Sequence, residues 1–373
     1  MLPRLPSIEL AGTSGLHVPV FRTPVSTVME EIRRLGPEAY ERACGGEFQR
    51  SLRILASGFP GDVAMRGMRH RWFMSPAGSE TTTLEMGGHE FVVPEGARFL
   101  YGIAANGGGG GGAGYSAASG STRGGGGGGS GAGVARSCML AALAPRRVYV
   151  RVGSGGIGAV AGGAAGGVGG ASYASFNAVD ALTTLNNVWL FGSAQGQAGG
   201  SGTGAAAGAA GASVSAMGTG YIGPMYGLIQ TVIGPPASGV GGAHTGAVGG
   251  SCTHTGTNGN PFTGGCGGGG VGVSDVAYDG GGIVAASVLM REGSLTYAGG
   301  VAPGGDGQHG YGQRMGGLAI ASIGGCGGAS HGTGQGGRGG DGGFCSGGGG
   351  GGAGVTGGDG GRGGDGLVLL MWC

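Results

Sequence analysis

Glycine constrains the fold of this chain more than any other residue type, because it occupies 106 of the 373 positions. Ordering one backbone residue costs about 1–2 kcal/mol, and glycine loses more conformational freedom than any other residue. Glycine has no side chain to bury, so ordered glycine runs must be stabilised by backbone hydrogen bonds and close backbone packing. Helices with three residues per turn satisfy both needs when they lie side by side. We therefore expect a bundle of polyglycine II helices.

Collagen and flexible disorder are the usual structures of glycine-rich chains, and the composition argues against both. Collagen needs glycine at every third position and abundant proline, whereas this chain has only 14 prolines and irregular glycine spacing. Disordered chains are poor in apolar residues, yet 39% of this chain is hydrophobic and only 10% is charged. We expect most of the chain to fold.

Short apolar segments alternate with the glycine runs after residue 88. They are rich in β-branched and aromatic residues, which favour strands. The segments predicted to be strands are 91–93, 99–103, 148–152, 188–191, 283–289 and 366–372. Pro94-Glu95-Gly96 predicts a turn after the first of them. The fold class expected from this alternation is mainly β with a polyglycine II helix bundle.

Threefold spacing occurs where glycine is densest. Larger residues are separated by pairs of glycines in two series, Gln335, Arg338, Asp341 and Phe344, then Asp359, Arg362 and Asp365. In a helix with three residues per turn, this spacing places the larger side chains on one edge and leaves two bare edges for packing. We expect the edge with the larger side chains to face the outside of the bundle.

The first 87 residues differ in composition from the rest. Eleven arginines and eleven acidic residues fall in the first 100 positions, and the prolines of residues 1–20 predict an extended arm. A threonine N-cap, a first-turn proline and a following glycine predict a short helix over 24–35, and an apolar stripe predicts a second over 47–57. We therefore expect a small N-terminal docking domain with two short helices at 1–87 and a glycine-rich domain at 88–373.

Charge and hydropathy argue against two kinds of partner. The formal net charge is +1. Nucleic-acid binding requires a clustered basic excess, so we expect no nucleic-acid partner. No run reaches the roughly 18 consecutive apolar residues of a membrane-spanning helix, and the first residues lack the pattern of a secretory signal. We expect no membrane insertion.

Motifs for catalysis or cofactor binding fail in their sequence context. Residues 153–158 match the GxGxxG pattern of a dinucleotide site, but the glycines that follow disfavour the required helix by about 1 kcal/mol each. The Cys and His residues at 244–266 and 326–345 lack the paired spacing of a structural zinc site, and we expect buried cysteines and surface histidines. We expect no catalytic residue, no metal and no cofactor, and hence no enzyme.

Three parts of the chain resemble the glycine-rich domain of bacteriophage tail proteins. Residues 91–96 with the glycines of 107–112 are similar to its opening, and 148–156 are similar to its second signature. Residues 363–369, followed by Trp372, resemble its closing strand. The layout also resembles the adhesins at the tips of T-even long tail fibres, where an attachment domain precedes a polyglycine II bundle with variable recognition segments.

This resemblance implies a virion structural protein, a tail-fibre or tail-tip component that is assembled in the host cytoplasm and takes part in binding a host receptor. The implied partners are other virion proteins, bound through residues 1–87, and a host cell-surface receptor. The oligomeric state stays open, with a homotrimer as one option. The alternative is a purely structural virion protein, such as a capsid fibre, a decoration protein or a tail-tip adaptor without receptor binding.

Receptor binding would require side chains in the segments that interrupt the glycine runs, because a glycine surface offers only backbone. Aromatic anchors give a large contact area at a small entropic cost. The candidate receptor-binding residues are Tyr221, Met225, Tyr226, Phe262, Tyr278, Tyr297 and Tyr311. The alternative is that these rings only cap the strand packing, since tyrosine commonly bridges a core and its surface.

Overall fold

A computed structural model gives the structure of the protein at residues 9–13, 16–20, 69–74, 88–97, 99–141, 144–162, 165–176, 188–192, 195–212, 229–233, 238–254, 262–285, 295–315 and 319–372. Within these ranges the chain consists of short strands and glycine-rich connections and has no α-helix. The described part of the protein is therefore mainly β, as the sequence predicts. The helices predicted over 24–35 and 47–57 lie outside it.

The strands are β1 Glu9–Thr13, β2 Leu16–Val20, β3 Arg69–Met74, β4 Gly88–Val92, β5 Phe99–Ala105, β6 Val134–Leu140, β7 Arg147–Arg151, β8 Tyr173–Ser175, β9 Val188–Phe191, β10 Ile229–Ile233, β11 Cys252–His254, β12 Ile283–Ala285, β13 Leu295–Tyr297, β14 Gly312–Met315, β15 Ala319–Ser322 and β16 Leu367–Trp372. They form a five-stranded sheet of order β10-β6-β5-β16-β3 and a four-stranded sheet of order β4-β7-β8-β9, both antiparallel. Smaller sheets pair β1 with β2, β11 with β12 and β13, and β14 with β15.

The two larger sheets pack face to face around one apolar core. Leu100 and Leu370 from the first sheet and Trp189 and Leu190 from the second belong to the same buried cluster. Gly102 of β5 faces the second sheet, and an added Cβ there would come within 2.7 Å of Leu190 Cδ2. A glycine at this position therefore lets the two sheets meet.

Strand β3, which precedes residue 88, is part of this sandwich. It pairs antiparallel with the C-terminal strand β16, with Phe73 opposite Val368. Phe73 is buried in the same core. Residues 69–74, on the N-terminal side of the predicted boundary at residue 88, thus form an edge of the sheet that contains the C-terminal strand.

The strands predicted from apolar runs lie close to their expected places. Strands β5, β7, β9 and β16 differ from prediction by at most two residues at either end, and β12 begins at Ile283 as expected. The predicted turn is confirmed, since the Ala97 N–H donates to the Pro94 carbonyl at 3.2 Å and Gly96 has a φ of 80°. Strand β6 was not predicted because Arg136 and Ser137 interrupt its apolar pattern, although both are buried.

Glycine segments between the strands bond to one another with a repeat of three residues. The N–H groups of Gly108, Gly111 and Gly114 donate to the carbonyls of Gly364, Gly361 and Gly358 at 2.8–2.9 Å. Other backbone groups of 107–115 bond to five more segments. Segment 107–115 therefore has six neighbours in all. These neighbours are 124–130, 156–159, 167–170, 196–202, 348–354 and 358–364. We call this arrangement the glycine array.

Four further segments of the array also have six hydrogen-bonded neighbours each, namely 124–130, 263–271, 323–330 and 345–354. Their glycines leave no room for a side chain. An added Cβ on Gly336, Gly337, Gly339 or Gly340 of a bordering segment would lie under 3.0 Å from a backbone carbonyl oxygen. Gln335 and Arg338 of the same segment are exposed, as expected for an outer edge. The other five residues of the two predicted series are half-buried, namely Asp341, Phe344, Asp359, Arg362 and Asp365.

Buried polar side chains join the array to the sandwich. Asn106 follows β5 and is 0% exposed. Its Nδ2 donates to the Gly192 carbonyl at 2.9 Å, and its Oδ1 accepts from the Ser172 N–H at 2.7 Å. Asn106 therefore holds three chain segments together where they leave the strands.

Candidate recognition surface

Loops that carry side chains gather at the end of the glycine array. We call this set the tip, and its loops are 116–122, 203–206, 243–246, 272–277 and 331–334. Backbone hydrogen bonds connect the bases of these loops, as from the Arg123 N–H to the Val271 carbonyl at 2.8 Å and from the Gly124 N–H to the Thr203 carbonyl at 2.9 Å. The exposed residues of the tip are mostly small or carry hydroxyl groups, and they include Ser119, Thr203, Thr245, Ser274 and Thr333.

An ion pair between Arg123 and Asp275 organises the tip. The Arg123 side chain is 0% exposed, and its Nη2 pairs with Asp275 Oδ1. Arg123 Nη2 also donates to the Gly332 carbonyl at 2.8 Å, and Nε donates to the Ser121 carbonyl at 3.1 Å. One guanidinium therefore contacts three of the five loops.

Asp275 is held from the opposite side by loop 116–122. The Ser119 hydroxyl donates to Asp275 Oδ2, and the Gly120 N–H donates to both carboxylate oxygens at 2.9–3.0 Å. These hydrogen bonds, together with the Arg123 guanidinium, hold the pKa of Asp275 below its ordinary value. The carboxylate is thus ionised at neutral pH and fixes loop 272–277 against loop 116–122.

Two tyrosine rings lie against glycines of the tip. Tyr115 is 37% exposed, and a Cβ on Gly204 would come within 3.2 Å of its Cε1. Tyr278 is half-buried, and a Cβ on Gly246 would come within 2.8 Å of its Cε2. Each ring therefore lies against a neighbouring loop and keeps part of its surface open to solvent.

The predicted anchors that lie within the described residues do not form one surface. Tyr221, Met225 and Tyr226 lie outside the described residues. Phe262 is 1% exposed and packs edge-on against Phe344 with ring centroids 6.1 Å apart, so it offers no contact area to a partner. Of the remaining anchors, Tyr278 alone belongs to a segment that leaves the tip.

Tyr297 and Tyr311 pack on each other near the strands. Their ring centroids are 5.6 Å apart, and both rings border the buried cluster that contains Cys266 and Ile323. Burial and a hydrogen bond with Tyr311 raise the pKa of Tyr297. These two rings cap the core, as in the alternative expectation from the sequence.

Charged side chains line the outer edge of the array and bond to its backbone. Asp341 Oδ1 accepts from the Arg362 N–H and Asp365 Oδ1 accepts from the Gly155 N–H, both at 2.7 Å. Asp306 and Asp359 accept in the same way from the N–H groups of neighbouring segments. These carboxylates continue the hydrogen-bond network where the array ends.

A cavity of about 310 Å³ opens beside this edge. It is lined by Met74 and Phe344 and by Asp341, Arg362 and Asp365. Burial raises the pKa of Asp365, whose Oδ1 already accepts from Arg362 Nη2 at 2.9 Å as well as from the Gly155 N–H. The polar groups of the cavity are therefore bonded to each other and to the array.

The residues of the possible cofactor and metal motifs have other roles in the fold. Residues 153–158, with the GxGxxG pattern, form part of the array, where the Gly156 N–H donates to the Gly108 carbonyl at 2.8 Å. Among the described residues, no group of three His, Cys, Asp or Glu side chains has the arrangement of a metal site. The described segments also include no helix with the length and apolar character needed to cross a membrane.

The arrangement of the tip thus offers a rigid, hydroxyl-rich surface with two tyrosine rings. The sequence indicated its loops only as interruptions of glycine runs. No local sequence pattern predicted the Arg123–Asp275 pair that fixes them. No protein-family model matches the chain, and no curated protein matches its sequence.

Proposed function

We propose that this protein is a virion structural protein of a tailed bacteriophage, a tail-fibre or tail-tip component that binds a host receptor, with its glycine segments forming a polyglycine II bundle. The observation that carries the proposal is the glycine array with side-chain-bearing loops gathered at its end. Such an architecture suits a passive, rigid support for a binding surface, because it consists of backbone packed on backbone.

The hydrogen-bond pattern supports a polyglycine II bundle. Polyglycine II helices have three residues per turn, so every third N–H points to the same neighbour. Gly108, Gly111 and Gly114 follow this rule toward segment 358–364. Six neighbours around one segment correspond to hexagonal packing of such helices, and the array glycines make this packing possible because an added Cβ at most of them would meet a neighbouring backbone.

The tip is the surface best suited to recognition. Loops that are fixed before binding lose little entropy on binding, and the Arg123–Asp275 pair fixes three of them. Tyr115 and Tyr278 supply the aromatic area that recognition surfaces use. The predicted insert at 213–239, with Tyr221, Met225 and Tyr226, remains a second candidate surface.

A purely structural role is the second candidate function. It is favoured by the burial of Phe262 and by the packing of Tyr297 on Tyr311, since these predicted anchors stabilise the core. A capsid fibre, a decoration protein or a tail-tip adaptor would need a rigid array without a binding tip.

Attachment to the particle is assigned to the N-terminal part of the chain. Residues 1–87 make up less than a quarter of the chain but hold 19 of its 39 charged residues, and this high charge density suits contacts with other virion proteins. Since 69–74 form an edge of the sandwich, a truncation that tests docking should begin at about residue 66 and keep β3. This truncated chain should fold and fail to join the particle, and its incorporation at the normal level would remove the docking assignment.

Two experiments test the proposed function. Immunogold labelling of intact virions should mark the tail, and labelling of the head alone would contradict a tail component. Purified protein should also compete with virions for adsorption to host cells. Competition should be lost with Thr245→Arg and Thr333→Arg on the tip, and kept with the matched substitutions Val168→Arg and Val240→Arg on exposed sides of the array. Full competition by the tip variants would exclude the tip and leave the insert at 213–239 as the recognition surface. No competition by the unmodified protein would favour the purely structural role.

A further inference from the structure

Three cysteines from three different segments of the chain meet between the array and the smaller sheets. Cys252 begins β11, Cys266 lies in segment 263–271, and Cys326 lies in segment 323–330. Cys266 and Cys326 are 0% exposed and Cys252 is 6% exposed, and all three belong to one buried cluster. None of the three forms a disulfide.

Cys266 occupies the middle of this group. Its N–H donates to the Gly325 carbonyl at 3.0 Å, which places it beside Cys326 on the neighbouring segment. The Cys252 thiol donates to the Gly265 carbonyl at 3.0 Å, which places Cys252 on the other side. Within this cluster the Cys266 thiol interacts with the thiols of both Cys252 and Cys326.

We propose that Cys252, Cys266 and Cys326 form a site of reversible thiol oxidation, in which Cys266 forms a disulfide with one neighbour, Cys326 or Cys252, when the protein meets hydrogen peroxide. The juxtaposition of three thiols inside the fold carries this assignment. Three members allow the bond to move between two pairs by thiol–disulfide exchange, because Cys266 contacts both of the others.

The chemistry starts most readily at Cys326. A hydrogen bond from the Cys266 thiol lowers the pKa of Cys326, whereas burial raises the pKa of Cys266 well above its ordinary value. The Cys326 thiolate attacks one peroxide oxygen, the O–O bond breaks, and the products are a sulfenic acid and, after protonation, one water. The Cys266 sulfur then attacks the sulfenic sulfur, and its proton leaves with the hydroxyl group as a second water. The two thiols lose two electrons and two protons in total, and the peroxide is reduced to two waters.

The disulfide would link two segments of the array covalently. Segments 263–271 and 323–330 each have six hydrogen-bonded neighbours, so a bond between them lies deep within the array. A crosslink between residues far apart in sequence restricts the unfolded chain. The oxidised protein should therefore melt at a higher temperature than the reduced protein.

The test is peptide mapping of the full chain after treatment with hydrogen peroxide, without reducing agent. The expected product is a peptide pair that contains Cys266 linked to Cys326 or Cys252, and dithiothreitol should separate it. Cys266→Ser should abolish the crosslink and leave Cys326 as a sulfenic or sulfinic acid. Cys345→Ser is the matched control, because Cys345 is also buried in the array but lies outside this cluster, and it should leave the crosslink intact.

The unmodified chain decides the proposal even if a variant folds poorly. A Cys252–Cys326 link with Cys266 reduced would overturn it. Conversion of the three thiols to sulfinic acids without any link would also overturn it, as would thiols that stay unchanged while free glutathione in the same solution is oxidised.

Discussion

The side chains of Arg123 and Asp275 form an ion pair at the tip although 152 positions separate them in the sequence. The guanidinium is buried and takes its polar contacts from protein groups, including the carbonyls of Ser121 and Gly332. Since an unpaired buried charge is strongly unfavourable, this pair makes the positions of three loops depend on one another.

Removing the carboxylate should loosen the tip. Asp275→Ala leaves the buried Arg123 guanidinium without its counter-charge, and we expect a clear fall in the melting temperature together with faster proteolysis within residues 116–122. Glu90→Ala is the control, because Glu90 and Arg147 form an exposed pair of a kind that contributes about 0–1 kcal/mol. Equal shifts in melting temperature for the two variants would contradict a role of the pair in organising the tip.

Asp275 should make the protein less stable as the pH falls into the acid range. Its pKa is lower in the folded protein than in the unfolded chain, so the unfolded chain binds more protons in acid. The stabilisation is complete above the unfolded pKa and is lost as the pH falls through the folded pKa. Melting temperatures measured from about pH 2 to pH 7 should therefore show the gap between the unmodified protein and Asp275→Asn closing in acid.

Asp365 should contribute with the opposite sign. Burial raises its pKa in the folded protein, so its contribution is complete below the unfolded pKa and is lost as the pH rises through the folded pKa. Asp365→Asn should consequently gain stability relative to the unmodified protein as the pH rises over the same series. If Asp275→Asn also gained stability relative to the unmodified protein as the pH rises, the opposite pKa shifts of the two carboxylates would be contradicted.

The glycines of the array should tolerate no side chain. An added Cβ on Gly339 would lie under 3.0 Å from the Gly349 carbonyl oxygen, so Gly339→Ala should destabilise by about 1–3 kcal/mol or more. Arg338→Ala changes an exposed neighbour and should stay within about 0.5 kcal/mol. Thermal or denaturant unfolding of both variants measures the difference, and equal effects would argue against close backbone packing.

Strand β3 should be needed for the stability of the sandwich. A chain that begins at residue 88 lacks β3 and exposes the edge of β16, including its unpaired backbone groups. We expect this chain to melt at a lower temperature and to aggregate more than a chain that begins at about residue 66. Identical melting curves and sedimentation profiles for the two chains would show that β3 adds nothing to the sheet.

The sequence predicted those parts of the fold that depend on local pattern. Strand β16 was predicted from its run of apolar residues, which the structure buries on both faces. The exposed position of Arg338 was predicted because pairs of glycines separate the larger residues. Strand β3 was not predicted, since charged residues alternate with its aromatic ones and pairing with β16 decides its structure.

Long-range contacts account for the features of the candidate site that the sequence did not predict. Arg123 borders a glycine run and Asp275 lies in a short loop, and neither position has a local pattern that indicates its partner. The cysteines were grouped by spacing as 252 with 266 and as 326 with 345, whereas the fold brings Cys326 to Cys266. Both contacts, Arg123 with Asp275 and Cys266 with Cys326, depend on which glycine segments lie next to each other in the array.

The six-neighbour packing of the glycine segments has a thermodynamic consequence. Unfolding such a segment exposes backbone amides and little apolar surface. Exposure of apolar surface raises the heat capacity change of unfolding, whereas exposure of polar groups lowers it. The array should therefore unfold with a heat capacity change below the roughly 12–15 cal/mol/K per residue of ordinary globular proteins. A smaller heat capacity change gives a flatter stability curve, so the array should keep its free energy of unfolding nearly constant from cold to warm surroundings.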